Sequence, residues 1–248
     1  MVIQRDNQQR QSPVVANVTG EELAVTEIFY SIQGEGPFSG QAAIFIRLSG
    51  CNLQCPFCDT LYDEREKLTM PQMRKSLQTL FSRHPDIKLI VITGGEPFRQ
   101  NVLPLLKLLH EIQATYSFNV QFETNGTIAP PHWHWTTDHI NHINCFYIVV
   151  SPKTPKVHKD IEIAAFAWKY IVAADLVCLD GLPTSALGQA HRPARPEDMN
   201  AKVHNIYVIP EDDGVQSHYK RNLEQCVEIS LEHQYTLQIQ LHKHLGIA

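Results

Sequence analysis

Short apolar runs of β type alternate with longer helical segments along this chain of 248 residues. The runs predict seven strands: Ala43–Leu48, Lys88–Thr93, Asn119–Thr124, Cys145–Ser151, Trp168–Val172, His204–Pro210 and Thr236–Leu241. Helices are predicted over Pro71–His84 with Thr69 as the cap, Asn101–Tyr116 and Ser217–Gln234. Because strands and helices take turns, we expect an α/β fold with a mostly parallel sheet built from right-handed crossovers.

The most unusual residues follow the predicted strands directly. In chain order they are Cys51, the GGEP, NGT and PK motifs, IPEDDG and the final HKH. Parallel sheets bind ligands at the carboxyl ends of their strands. The sequence therefore predicts one site where these motifs meet.

Three cysteines stand close together in the stretch GCNLQCPFCDT. Cys51, Cys55 and Cys58 are spaced C-x3-C-x2-C, with no fourth cysteine nearby. A closed zinc site takes four ligands and a cube of four irons normally takes four thiolates, so three thiolates on one loop leave one iron open for chemistry. Two interpretations without redox chemistry stay open at this point: a zinc knuckle completed by a distant histidine, and three thiols with no shared function.

The composition fits a globular protein with a sizeable core. Hydrophobic residues make up 43% and charged residues 19%, and the formal net charge is -5 with neutral histidines. This balance argues against a surface that follows nucleic-acid phosphates along its whole length. No run reaches the roughly 20 apolar residues of a membrane span. We expect a cytoplasmic protein, because a reducing compartment favours metal or redox roles for clustered cysteines.

Two segments are expected to lie outside the core. Residues 1–22 are mostly polar, lack the apolar stretch of a secretory signal and predict a flexible N-terminal extension. Residues 23–248 predict a single domain. Between Asp180 and Asn200, prolines and the lack of an apolar period predict a variable, mobile surface loop.

The cysteine spacing resembles that of the radical S-adenosylmethionine enzymes. Within them, the stretch from Glu27 to Asp63 is similar to the 7-carboxy-7-deazaguanine synthase family. The matching pieces are SIQGEG, G-x4-FIRL-x-GCNL, C-x2-CDT, TGGEP, ETNGT, SPK and the terminal Q-x-HK, which together run from about Glu27 to the end. The resemblance implies an incomplete (β/α) barrel of the radical S-adenosylmethionine type.

The resemblance also implies a reaction and its cofactors. Members of the family are lyases that convert 6-carboxy-5,6,7,8-tetrahydropterin to 7-carboxy-7-deazaguanine with loss of ammonia, a step toward queuosine in tRNA. A [4Fe-4S] cluster, S-adenosylmethionine and Mg²⁺ are the implied cofactors. The implied partners are the small-molecule substrate, an external electron donor and a second copy of the chain in a homodimer, with no direct contact to nucleic acid or membrane.

The family positions fall on particular residues of this sequence. The implied substrate residues are Ile32, Gln33, Gly34, Glu35, Arg47, Thr93, His242 and Ala248. The implied S-adenosylmethionine residues are Phe57, Cys58, Asp59, Gly95, Ser151, Pro152, Lys153 and Pro210. Cys51, Cys55 and Cys58 would bind the cluster and Thr60 would bind magnesium. Phe57 stands where the family often has Trp, and no residue is assigned a catalytic role.

Several of these residues have a simpler structural interpretation. The glycines of GGEP let a backbone approach a ligand closely, or form a plain turn between a strand and a helix. Arg47 offers a planar fork for a carboxylate, or lies exposed on the sheet edge. Thr60 would otherwise cap the next turn. Glu96 would either orient its loop or contact the amine of the cofactor.

Two other functions compete with the lyase. One is an activase that places a radical on another protein and needs a large partner groove. The other is a zinc-binding module for nucleic acid, which the acidic balance disfavours.

Overall fold

One nine-stranded sheet organises the part of the chain that the structure, a computed structural model, describes. The described residues are 9, 11–12, 21–56, 58, 60–62, 66–129, 146–186, 191–199 and 205–247. The strands are β1 (Glu22–Ile32), β2 (Ala42–Leu48), β3 (Glu66–Thr69), β4 (Leu89–Gly94), β5 (Asn119–Thr124), β6 (Phe146–Val150), β7 (Ala165–Val172), β8 (Ile206–Pro210) and β9 (Thr236–Leu237).

The sheet is mixed but mostly parallel. Its strand order is β3-β1-β2-β4-β5-β6-β7-β8-β9. Strand β1 is antiparallel to both of its neighbours, β2 and β3, and all later neighbours are parallel. The two edge strands are β3 and β9, so the sheet is open. The predicted α/β fold with a mostly parallel sheet is confirmed.

Five α-helices connect or follow the strands in the described part. They are α1 (Met70–Arg83), α2 (Leu103–Gln113), α3 (Lys159–Ala164), α4 (Gln216–His233) and α5 (Leu241–Leu245). Helix α1 begins at the predicted cap, where Thr69 and Gln72 form a capping box. Its buried residues, Met73, Leu77 and Phe81, recur every four positions and therefore face the sheet. None of the described helices could cross a membrane.

The two faces of the sheet have different partners. Along β2, Ile44, Ile46 and Leu48 belong to the large core that also contains the buried faces of α1 and α2. The alternating residues, Ala43 and Phe45, pack with β4 in a small cluster on the opposite, inner face. Further along β2 and β4, toward their carboxyl ends, the side chains on the inner face are polar. The core thus lies under the helices, and the inner face is left for a site.

Two sequence predictions of secondary structure are wrong at the ends of the sheet. The prediction lacked β1 and β3, because the first mixes polar with apolar residues and the second has four residues. The predicted strand Thr236–Leu241 ends at Leu237, and α5 begins at Leu241. The chain leaves the sheet there and turns toward the QGEG loop, where Leu241 N donates to Gly34 O at 3.1 Å.

The described part of the Asp180–Asn200 segment has several residues attached to the domain. Leu182 is fully buried, and Asp180 accepts hydrogen bonds from the guanidinium of Arg195. The Tyr170 hydroxyl donates to Ala194 O at 2.7 Å. Charge pairing and single buried residues, rather than an apolar period, attach these residues to the domain.

Candidate active site

A cavity of about 590 Å³ opens at the carboxyl ends of the parallel strands. Nine predicted site residues line it: Glu35, Cys51, Cys55, Cys58, Thr60, Thr93, Gly95, Ser151 and Lys153. Its volume is typical of a small-molecule site. The convergence predicted from the motifs at the strand ends is confirmed.

The three thiols line one side of this cavity. Cys51 and Cys55 are buried, and Cys58 is half-buried. The loop is held by its own backbone: Leu53 N donates to Cys51 Sγ at 3.4 Å, and Cys58 N donates to Cys55 O at 3.2 Å. Burial raises the pKa of the Cys51 thiol to about 12, so positive charge is needed to hold it as a thiolate.

This loop fits an iron–sulfur cluster. Among the described residues, no three metal-binding side chains lie close enough to share one ion. A cube of four irons instead takes each thiolate on a different iron. Three thiols facing one cavity, with none of the three in a disulfide bond, are the donor set that such a cube requires.

The GGEP turn packs directly on the start of the cysteine loop. Gly95 N donates to Leu48 O at 3.1 Å, and Glu96 N donates to Gly50 O at 3.0 Å. A Cβ on Gly94 would lie 2.0 Å from Leu48 O, and one on Gly95 would lie 2.0 Å from Gly50 O. The glycines are therefore required for the approach of two loops to each other, in addition to the predicted approach to a ligand.

Glu96 is fully buried and ties the GGEP turn to the turn after β5. Its carboxylate accepts hydrogen bonds from Phe98 N at 3.2 Å, the Thr124 hydroxyl at 2.7 Å and Asn125 N at 2.8 Å. Burial raises its pKa to about 7 against the effect of these donors. Of its two predicted roles, the orientation of the loop is the one that these bonds support.

Asn125 connects the same turn to the cysteine loop. Its side-chain amide donates to Asn52 Oδ1 at 3.0 Å and lies 4.0 Å from Cys51 Sγ. Asn52 in turn donates to the Thr127 hydroxyl at 2.8 Å. Two strand ends therefore fix the position of Cys51.

A buried ion-pair network forms the floor of the cavity. The ammonium of Lys169, on β7, lies 2.8 Å from Glu35 and 3.2 Å from Glu123. Its side chain is only 5% exposed. Gln33 and Gln121 both donate to Glu123 Oε1, at 2.9 and 3.0 Å. Neither Lys169 nor Glu123 is among the site residues predicted from the sequence.

The charges of this floor stabilise one another. Burial by itself would raise the pKa of Glu35, but the Lys169 ammonium and a hydrogen bond from Gln240 at 2.7 Å lower it to about 2. Burial likewise opposes the charge of Lys169, and the two carboxylates raise its pKa above the usual range. Glu35 is therefore an ionised hydrogen-bond acceptor at neutral pH.

Beyond the floor, Ser151 and Lys153 follow β6 and line the cavity as predicted. The Lys153 ammonium donates to Ser151 O at 3.0 Å and also to the Ser151 hydroxyl. Burial lowers the pKa of Lys153. Pro152 is buried between them, and Pro210 ends β8.

Arg47 lies on the inner face but does not line the described cavity. It is in register with Thr93 of β4, which does line it. Its guanidinium pairs with Glu27 at 2.9 Å and lies 5.1 Å from the centre of the Phe29 ring. Its Nε is buried without a hydrogen-bond partner among the described residues. The structure therefore pairs the guanidinium with Glu27, and its role toward a substrate carboxylate stays a prediction.

The C-terminal helix α5 packs over the QGEG loop. A Cβ on Gly34 would lie 2.3 Å from His242 Nδ1, so Gly34 makes room for this histidine. Gln240 and Lys243, on either side of the helix start, line the cavity, and His242 is not among its lining residues. Ile32 ends β1 at the entrance of the loop. The predicted residues Phe57, Asp59 and Ala248 lie outside the described residues.

Comparison with known proteins agrees with this site. A family model described as "4Fe-4S single cluster domain" matches residues 32–161. The 7-carboxy-7-deazaguanine synthase of Rhodospirillum rubrum is 38% identical over 239 residues, which cover 92% of this chain and 94% of that protein. The synthase of Rickettsia prowazekii is 34% identical, with 92% and 90% covered.

A solved structure agrees as well. The crystal structure of QueE from Escherichia coli matches with a TM-score of 0.62 and 25% sequence identity, covering 89% of this chain and 95% of that one. The incomplete barrel of the radical S-adenosylmethionine type, the [4Fe-4S] cluster and S-adenosylmethionine are thereby confirmed as predicted. The chain belongs to the 7-carboxy-7-deazaguanine synthase family, the radical S-adenosylmethionine lyases of queuosine biosynthesis.

Proposed function

We propose that the floor of the cavity binds the pyrimidine edge of 6-carboxy-5,6,7,8-tetrahydropterin, which the enzyme converts to 7-carboxy-7-deazaguanine with loss of ammonia. The observation that carries this proposal is the Lys169 ammonium between two carboxylates that line the cavity. The amine and amide of the pyrimidine ring present N–H donors. Glu35 and Glu123 offer fixed carboxylate oxygens to accept them, and hydrogen bonds to charged acceptors are the stronger kind.

The floor is arranged before the substrate arrives. Gln33, Gln121 and Gln240 orient the two carboxylates, and Thr93 lies 3.5 Å from Glu123. Such pre-organisation lowers the entropic cost of binding, because these side chains lose little freedom when the ring docks. Lys169 acts as a positioning residue that keeps the carboxylates apart and ionised.

The cofactors would be held on the opposite side of the cavity. Cys51, Cys55 and Cys58 would bind three irons, and Gly95, Ser151 and Lys153 would hold S-adenosylmethionine near the fourth. When bound, these cofactors supply the radical that abstracts hydrogen from the substrate. The protein orients both reactants and excludes water from the cavity. The predictions for Pro152, Pro210, Phe57 and Asp59 extend this cofactor site.

The carboxylate of the substrate needs a positive charge close to it in the cavity. We assign it to Mg²⁺ on the Thr60 hydroxyl, with substrate oxygens and water as the other ligands. Arg47 would exchange Glu27 for the same carboxylate, and its buried Nε, which has no hydrogen-bond partner in the described part of the chain, supports such an exchange. His242, Ile32, Gly34 and the C-terminal Ala248 would close the pocket around the ring.

The proposed function also implies an electron donor, a cellular compartment and an oligomeric state. The cluster needs an electron from an external donor, and buried thiols favour the reducing cytoplasm. A homodimer is proposed from the family resemblance. Val227 and Leu231, one turn apart on α4, are 40% and 80% exposed and support it as apolar contacts. Neither nucleic acid nor membrane is expected to bind directly.

The substitution Glu123→Gln tests the placement of the substrate. In anaerobically reconstituted enzyme, we expect the KM for the carboxypterin to rise at least about 10-fold, because one charged acceptor is lost. Cleavage of S-adenosylmethionine without substrate should continue. Glu224→Gln, on the exposed surface of α4, is the matched control. An unchanged KM would show that the ring edge binds elsewhere.

Magnesium is tested separately from the ring. Thr60→Val should abolish the stimulation by Mg²⁺ while Thr60→Ser retains it, since serine keeps the hydroxyl. Turnover that is indifferent to Mg²⁺ in the unsubstituted enzyme would remove the metal from the proposal. It would leave the floor assignment intact.

A further inference from the structure

Residues near the amino terminus lie across the cysteine loop. Gln9 Nε2 donates to Thr60 O at 2.8 Å, and Tyr62 N donates to Gln9 Oε1 at 2.5 Å. Ser12 N donates to Cys51 O at 2.6 Å. The two ends of the loop are therefore both bonded to residues of the N-terminal segment.

The carboxamide of Gln9 takes the place of a neighbouring strand. In a parallel ladder, one residue donates to a carbonyl and accepts from the N–H two residues further on, and Gln9 makes this pair of bonds with Thr60 and Tyr62. Glutamine carries both a donor and an acceptor at the end of a chain long enough to reach. Tyr62 is 2% exposed, and its carbonyl accepts from Gly50 N at 2.6 Å. Gln9 thereby ties Thr60 to a buried anchor.

The bond to Thr60 lies next to the third cysteine. The Cys58 thiol lies 3.6 Å from Thr60 O and donates to it. Thr60 is two residues from Cys58, so a Thr60 carbonyl that Gln9 holds in place restrains the segment that carries this cysteine.

We propose that Gln9 is a positioning residue for the iron–sulfur cluster, which fixes the Cys58 arm of the cysteine loop and slows the loss of iron. The inference does not depend on where the substrate or magnesium binds. It also lies outside the sequence motifs that carry the family resemblance, which begin at about Glu27. Partners of metal ligands commonly change metal affinity by about 10- to 100-fold when removed.

The test compares Gln9→Ala and Gln9→Glu in the full chain after anaerobic reconstitution. Iron release to a chelator is followed by the loss of cluster absorbance, with iron and sulfide counted per chain. We expect release about 10-fold faster in Gln9→Ala. Gln9→Glu should be at least as fast, since a carboxylate cannot donate to Thr60 O. Gln78→Ala, an exposed glutamine of α1, should match the unsubstituted protein.

The thermal unfolding of the iron-free proteins separates a local role from a global one. Faster release with an unchanged Tm supports the proposal. Release at the unsubstituted rate in Gln9→Ala overturns it. A fall in Tm large enough to explain the faster release also overturns it, because Gln9 would then stabilise the fold rather than the loop.

Discussion

The floor of the cavity and the cysteine loop are both largely buried, yet they handle charge in opposite ways. On the floor, the charges of Glu35, Glu123 and Lys169 are paired within the protein. On the loop, burial raises the pKa of Cys51, and nearby acidic groups add to this effect. The floor is thus complete as folded, whereas the loop reaches its final electrostatic state only with bound iron.

The supports of the two regions differ accordingly. Long side chains from β5, β7 and the QGEG loop meet on the floor, so its geometry depends on their charges. The cysteine loop is positioned by backbone contacts at Gly94 and Gly95 and by neutral amides of Asn52 and Asn125. These supports hold the loop through backbone and amide contacts rather than through ion pairs. We expect substitutions in the first region to act through charge, and those in the second to act through shape.

The largest effect is expected for Lys169→Met. Removing the ammonium leaves two buried carboxylates facing each other, which typically costs roughly 3–5 kcal/mol. We expect a loss of this size in the free energy of unfolding, measured by urea denaturation of the iron-free protein, and loss of substrate conversion. Lys220→Met, whose side chain is 77% exposed, should have almost no effect. A small loss in Lys169→Met would mean that the floor does not depend on pairing.

A test of shape comes next, with Gly95→Ala. The added Cβ would lie 2.0 Å from the Gly50 carbonyl oxygen, and both partners are backbone, so the turn or the loop must shift. We expect roughly 2–3 kcal/mol of destabilisation, in the upper range for overpacking. Iron content after reconstitution should fall together with stability. Full iron content with normal stability would show that the two loops tolerate separation.

Much of the fold and part of the site follow from local sequence. The strand Asn119–Thr124 and the cap at Thr69 are found as predicted, because apolar runs and capping residues act over a few positions. The cysteines and the glycine turn were identifiable because their spacing and position after a strand carry the signal. The cavity itself follows from the rule for parallel strand ends.

The floor could not be predicted in this way. Lys169 stands in the strand sequence AFAWKYIV, and its partners Glu35 and Glu123 are distant in sequence. A pairing across such distances depends on strand order, which periodicity does not determine. A usable signal was present, since a lysine inside a buried apolar strand requires a partner. Arg47, between Ile46 and Leu48, is a second charged residue inside an apolar strand.

Glu96, in the GGEP turn that packs on the cysteine loop, and Glu35 of the floor should also respond differently to pH. Glu96 has its pKa raised to about 7, so the folded state holds its proton between pH 4.5 and 7 and stability falls as pH rises through that range. Glu35 has its pKa lowered to about 2, so its contribution is complete above pH 4.5 and is lost as pH falls toward 2. From pH 5 to 7, the change in stability that these two carboxyl groups cause should therefore come mainly from Glu96.

Glu96→Gln isolates this contribution. Between pH 5 and 7 we expect the unsubstituted iron-free protein to lose roughly 2 kcal/mol more stability than the variant, since one pKa unit corresponds to about 1.4 kcal/mol. Urea denaturation at several pH values measures the difference between the two proteins, in which other titrating groups cancel. Parallel curves for the two proteins would mean that Glu96 is ionised throughout.

The smallest effect is expected where the floor meets the C-terminal helix, in Gly34→Ala. The new Cβ would lie 2.3 Å from the His242 ring, but a side chain can move away where a backbone cannot. Stability should change by less than about 1 kcal/mol, and the KM for the carboxypterin should rise several-fold as His242 is displaced. In a His242→Ala background the same substitution should have no further effect on KM, because the obstructing ring is absent. Additive effects in this double-mutant cycle would show that Gly34 acts on the substrate directly rather than through the histidine.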